Sequence, residues 1–268
     1  MEIRDACPGL THPGAPADLP SFMRFLTAVN GHLAERGRRL IIAIDEYAII
    51  DTLIGEGKLP VELLYTVRES IQTHRRLIWL FAGSHTITEL THADWPSYLI
   101  SARTITVGMF TPAETRLLLT DPLKHSPLWP PGDPRRPRFD PALWGEGGIE
   151  WIHAQAGGWP NLVQLIAESA IHLLNESDRR ALDPGLLEEA ADRAVSGGTN
   201  AFITLLQRES AVPGEWDYLH GFRDHDTRPP PADGAVARSL KRRLLVTEEG
   251  GVWRMRVPLM LRWLRRES

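Results

Sequence analysis

The chain has 268 residues, 43% hydrophobic and 24% charged, with a net charge of −4. Those proportions describe a globular protein of one large domain or two to three small ones, and they exclude a global polyelectrolyte role. The lone Cys7 excludes an internal disulfide, the N-terminus reads as lacking a signal peptide, and no apolar run approaches the ~20 residues that span a bilayer. Together they predict a cytoplasmic protein.

Residues 1–20 carry Pro8, Pro13, Pro16 and Pro20 and read as an irregular lead-in, with Glu2-Ile3-Arg4 as the stub of a strand. Ser21 caps a predicted helix whose apolar positions are Phe22, Phe25, Leu26, Val29 and Leu33, and Gly37 closes it. The stretch Arg39–Tyr47 follows. Its run Leu40-Ile41-Ile42-Ala43-Ile44 predicts a strand buried on both faces, as in a parallel sheet. The run ends in Asp45 and Glu46, where open α/β sheets bind ligands. This is the shape of a Walker B motif: a first carboxylate suited to Mg²⁺ and a second suited to polarising the attacking water. Two acids opening a helix would also suit its dipole.

A loop with Gly55 and Gly57 leads to a helix from Pro60 to about His74, striped by Leu63, Leu64, Val67 and Ile71. Leu77–Ala82 predicts a second buried strand, ending in Gly83-Ser84-His85, and Ala102–Val107 a third, with a partly helical stretch between them. Three strands separated by helical segments imply parallel βαβ units. Thr111-Pro112-Ala113-Glu114 has the spacing of a capping box and opens a helix through Thr120. Six prolines between Pro127 and Pro141 predict a flexible, partly extended insertion. Helices follow over Gly147–Gln155, from Pro160, over Pro184–Val195 and over Asn200–Ser210, an all-α region. Residues 223–234 read as a mobile linker. The last stretch reads helix, strand, glycine turn, strand, helix, the end of a winged helix.

These motifs, in this order, resemble the AAA+-like ATPases of the STAND class, the bacterial and archaeal signalling ATPases, from about Phe22 to the end. Ile41–Glu46 resembles Walker B, and Phe81-Ala82-Gly83-Ser84 the sensor 1 strand. Val107–Glu114 resembles the junction into the lid, and Gly157-Gly158-Trp159-Pro160 the Gly-x-Pro motif of the lid. Val257–Leu264 resembles the helix closing the winged helix. The resemblance implies an incomplete α/β P-loop NTPase core of the ASCE type over 21–110. A helical lid over 111–197, with the insertion 127–141, and a winged-helix domain over 198–268 would follow. It implies ATP or ADP and Mg²⁺ as ligands, with Asp45 on the metal, Glu46 as base, Ser84 as sensor, and Gly158 and Pro160 against the nucleotide. Ser84 reads equally well as a strand-end turn residue. Arg103, near the start of the third strand, would serve as an arginine finger or as a solvated strand end. Gly158 and Pro160 also suit the stop of one helix and the start of the next.

The departure is equally informative. A P-loop requires Gly-x-x-x-x-Gly-Lys-Ser/Thr. The only lysines are Lys58, Lys124 and Lys241; none precedes Ser or Thr, and Thr52 stands where the first glycine before Gly57-Lys58 belongs. In the family the missing strand would lie beside Ala102–Val107, so its loss would open an apolar surface and leave amides unpaired. The expectation is a fragment of a longer ATPase, a chain completed by self-association or by a partner, or a pseudo-ATPase scaffold. The scaffold's winged helix would bind a protein partner or, less favoured, DNA through the basic C-terminal segment. His85, His92 and Asp94, and the group His220, Asp224, His225 and Asp226, match no zinc spacing.

Overall fold

A computed structural model describes residues 16–208 and 212–266. The expected strand stub at residues 2–4 lies outside them, as do the last two residues of the helix expected to reach Ser210. The chain divides into two compact units, Met1–Ile105 and Thr106–Ser268.

The first unit is a small parallel α/β layer. Helix α1 (Leu19–Glu35) is capped by Asp18, which accepts from the Ser21 amide at 2.7 Å. Ser21 is thus the third residue of a capping box and not the cap itself. Strand β1 (Leu40–Ile44) pairs in parallel with β2 (Leu77–Phe81), from Leu40 opposite Leu77 to Ile44 opposite Phe81. Helices α2 (Ala48–Gly55) and α3 (Glu62–Thr73) make the crossover. Helix α2 occupies much of what the sequence presents as a loop, because its glycines stand only at its end. A short helix α4 (Trp95–Tyr98) follows β2.

One face of this sheet is covered. Leu40, Ile42, Leu77 and Trp79 pack on Phe25, Leu26, Val29 and Leu33 of α1. Ile44 and Phe81 join Tyr47, Leu64, Trp95 and Leu99 in a second cluster. The opposite face is open: Ile41 is 62% and Leu80 50% exposed, and Ile78 is exposed beside them. The expectation of a strand buried on both faces is therefore wrong. A continuous apolar run fits a two-sided strand, but among the described residues helices cover only one face of it. Nor does Ala102–Val107 form a strand; Ile105 is 76% and Val107 93% exposed. Its β-branched residues have the right propensity, but a strand needs a neighbour to take its amides.

The buried Asp51 of α2 ties down the loop after β2. Its carboxylate accepts from the backbone N–H of Thr91, His92 and Ala93 and from Trp95 Nε1, at 2.8–3.3 Å. A buried carboxylate is tolerable only when hydrogen-bonded in this way.

The second unit is helical with one continuous core. Thr111 and Glu114 form the expected capping box at the start of α5 (Pro112–Thr120). Helices α6 (Gly148–Ala156), α7 (Pro160–Asn175) and α8 (Pro184–Gly197) follow close to their predicted spans. The proline-rich insertion carries no strand or α-helix over residues 127–140, but it is anchored. Arg136 is buried and meets Asp121 at 2.8 Å, and the Phe139 N–H donates to Thr120 O at 2.9 Å. A guanidinium with a carboxylate to pair with can enter a core that proline itself cannot organise.

Helix α9 (Thr199–Ile203) runs into a π-helical turn (Thr204–Arg208), and α10 (Glu215–His220) was not foreseen from the sequence. The end of the chain is α11 (Gly234–Arg242), an antiparallel hairpin of β3 (Val246–Glu249) and β4 (Val252–Met255), and α12 (Pro258–Arg266). The segment expected to be a mobile linker contributes to it: Arg228 exchanges two backbone hydrogen bonds with Trp253, at 2.9 and 2.7 Å. Arg228 also lies over the Tyr218 ring, 4.6 Å from its centroid. An ion pair of Arg243 with Glu215, 2.6 Å and buried on both sides, joins α10 to the end of α11.

Candidate active site

The parallel pairing decides which polar residues meet. Ala82 N–H donates to Ile44 O at 2.9 Å, and Tyr47 N–H to Ala82 O at 3.1 Å. The ladder thus continues one step past both strands and sets Asp45 and Glu46 beside the Ala82-Gly83-Ser84 exit of β2. All three polar residues are exposed at one end of the sheet.

The backbone turns sharply between the two acids. Glu46 adopts φ +50°, a left-handed conformation that costs an ordinary residue about 1–2 kcal/mol. Its N–H donates to Asp45 Oδ1 at 3.0 Å, which partly offsets that cost. Strain held at a strand end beside two carboxylates is typical of a functional turn. The turn also leaves Asp45 Oδ2 and the whole Glu46 carboxylate facing solvent with no ion-pair partner among the described residues.

Tyr47, which the sequence reading did not single out, holds this corner. It is buried, packs edge-on against Phe81 and Trp95 with ring centroids 6.2 and 5.5 Å away, and donates its hydroxyl to His85 O at 2.5 Å. Burial, aided by the charge of Glu89, raises its pKa above the ordinary tyrosine value, so it remains a neutral donor. The Tyr47–His85 bond fixes the loop carrying Ser84, whose Oγ lies 3.2 Å from His85 Nδ1. The aromatic residue directly after the two acids was the available signal.

The other candidates belong to other elements. Arg103 is exposed in an irregular segment, not on a strand. Gly158 and Pro160 belong to the second unit. Gly158 has φ +75° and accepts from the Phe110 N–H at 2.8 Å, and a Cβ there would fall 2.5 Å from Phe110 O. Glycine is therefore required, and Pro160 opens α7 at a position that needs no N–H donor. Two clefts of about 400 and 470 Å³ lie in the second unit, and neither is lined by Asp45, Glu46 or Ser84. Among the described residues no cluster of three metal-ligating side chains occurs, so any divalent ion at Asp45 would draw further ligands from water or phosphate, as Mg²⁺ does.

A two-stranded parallel layer with acids at its C-terminal end follows the α/β pattern in which ligands bind beyond the carboxyl ends of the strands. The solved structures agree. A Walker-type ATPase of Pyrococcus abyssi superposes with a TM-score of 0.54 over 98% of this chain and 75% of its own, at 17% identity. The chain therefore has a P-loop-NTPase-like fold. No protein-family model matches it, and no curated protein does. No helix among the described residues is long and apolar enough to cross a membrane.

Proposed function

We propose that the chain is a Walker-type ATPase module of the STAND, AAA+-like kind, whose phosphate cradle is supplied by another segment or another chain. The observation that carries this is the corner at the end of β1: two adjacent exposed carboxylates, without ion-pair partners among the described residues, in a turn hydrogen-bonded to Ala82 two residues before Ser84. In this reading Asp45 holds Mg²⁺ through its open oxygen, and the ion supplies charge neutralisation on the nucleotide phosphates. Glu46 accepts a proton from the attacking water, and Ser84 orients that water or a phosphate oxygen. Gly158 and Pro160 keep the nucleotide role that the resemblance assigns them, residues 111–197 serve as the lid and 198–268 as the winged helix. With no Gly-x-x-x-x-Gly-Lys-Ser/Thr in the sequence, the chain alone is expected to bind nucleotide weakly and to turn over little.

Mn²⁺, a paramagnetic stand-in for Mg²⁺, tests the metal site directly. It should broaden the amide signals of residues 44–47 and 82–85, and Asp45→Asn should abolish the effect. In a preparation that hydrolyses ATP, Glu46→Gln should retain binding and lose about 100-fold or more in turnover. Absence of broadening at Asp45, or hydrolysis by Glu46→Gln as fast as wild type, sinks the reading.

The alternative is a non-catalytic scaffold whose winged helix binds a protein partner or DNA. The ion pairs of the C-terminal segment favour packing over phosphate contacts. Arg262 meets Glu188 at 2.7 Å and Asp192 at 3.0 Å, Lys241 meets Glu248 at 2.7 Å, and Arg265 meets Asp226. A salt-sensitive mobility shift on duplex DNA, lost on changing Arg238 and Arg256 to Ala, would revive the DNA version.

A further inference from the structure

The open face of the β1–β2 sheet is apolar in the middle and charged at its ends. Along β1 the outward positions are Ile41 and Ala43, with Arg39 directly before the strand and Asp45 directly after it, and all four are exposed. Along β2 they are Ile78 and Leu80, with Ile78 beside Ile41 and Leu80 beside Ala43, and the half-buried Arg76 directly precedes the strand. Because the strands are parallel, both basic ends fall on the same side and cannot cancel. The face is thus basic where the strands begin and acidic where β1 ends. Among the described residues neither Arg39 nor Asp45 has an ion-pair partner.

Such a surface is complementary to itself. A two-fold axis lying between two copies, perpendicular to their strands, brings aliphatic side chains onto aliphatic side chains. It also sets Arg39 of each copy against Asp45 of the other. We infer that a second copy of this chain packs face to face on this sheet. The two Arg39–Asp45 pairs stand at opposite ends of the contact, separated by roughly 20 Å of strand at about 3.3 Å per residue. They fix the antiparallel orientation, since the parallel one would oppose like charges. The strand face alone is smaller than the ~800 Å² per partner of a standard interface, so association is to be sought over a wide concentration range. A phosphate-loop segment that covered this face would exclude the second copy, so the dimer is the form of the chain without that segment. The inference stands whether or not the nucleotide reading does.

Sedimentation equilibrium on the full chain, from low micromolar to near-millimolar protein, decides it. The mass should rise from 30.1 kDa toward twice that value. Arg39→Asp and Asp45→Arg should each weaken association about tenfold, the two changes combined should restore it, and Ile78→Glu should abolish it. These positions are exposed, and the far-UV spectrum of each variant checks that it folds. A chain that stays at 30.1 kDa throughout overturns the dimer. So does a charge-swapped double variant no better than the singles, or an Ile78→Glu protein that still associates. Wild type, Arg39→Asp and Ile78→Glu keep Asp45 in place, so Mn²⁺ binding to their monomers is read independently of association and the two proposals fail separately.

Discussion

The two units of this chain handle their apolar residues in opposite ways. In the second unit helices α5 to α12 and the hairpin share one core, and Phe202 and Trp263 stack at 5.5 Å inside it. In the first unit the core is split in two, one sheet face is bare, and a β-branched segment lies exposed. The difference follows from where each element finds its partners. A helix closes its own hydrogen bonds and needs only an apolar stripe to dock. A strand needs a neighbour for its backbone, and a parallel sheet needs helices on both faces. Loss of one layer leaves a helical unit smaller but leaves a sheet unit open.

This contrast is easily broken or sharpened. The largest effect is expected at Trp263, buried against Phe202: Trp263→Ala should cost about 3–5 kcal/mol. Urea unfolding would measure it, and hydrogen exchange should rise across α7 and α8 together if the core is one unit. An effect confined to α12 would divide that core.

Next comes the first unit's buried polar anchor. Asp51→Ala removes the acceptor of three backbone amides and the Trp95 indole, and should cost about 3 kcal/mol. Exchange of the Thr91–Ala93 amides should speed up well before that of α1. Little change there would mean that the loop after β2 is held by Tyr47 alone.

The smallest effect is on pH dependence. His74 is buried between Thr27 and Ser70, each 3.1 Å from a ring nitrogen, and burial pushes its pKa below the usual 6.5. The fold prefers the neutral ring. Its contribution is present above pH 6.5 and declines as pH falls below that value, until the folded His74 is protonated as well. In the second unit, hydrogen bonds from Arg193, Arg265 and Lys241 hold Glu176, Asp226 and Glu248 below the ordinary carboxylate range. Their contribution is present above that range and disappears only as pH falls through the lowered values. Acidification from pH 7 to about 5.5 should therefore loosen the first unit first, and His74→Gln should flatten its response. Amide exchange at the two pH values would show it; equal loosening of both units would contradict it.

Much was legible in the sequence because its causes are local. The capping box at Thr111 and Glu114, the spans of α5 to α8 and the hairpin near the C-terminus depend on side chains a few residues apart. The adjacency of Asp45 and Glu46 at a strand end was likewise readable, since a five-residue apolar run stops at them. Some misses are local, such as the α1 cap at Asp18 in place of Ser21, but the ones that shape the packing are non-local. Arg136 and Arg228 order segments that composition presents as mobile, each through a partner distant in the sequence. Ala102–Val107 has the residues of a strand and, among the described residues, no strand beside it.

By itself, then, the sequence determined the periodicity of the helices, the two apolar strands and the acids at the end of the first. Tertiary structure alone decided that β1 and β2 pair in parallel and set Ala82, at the exit of β2, against the turn that carries those acids. It alone decided that Glu46 turns left-handed, that Tyr47 pins the corner, and that one sheet face stays bare. Periodicity reports which side of an element prefers to leave water. Whether another element arrives to cover that side depends on contacts that no short window of sequence contains.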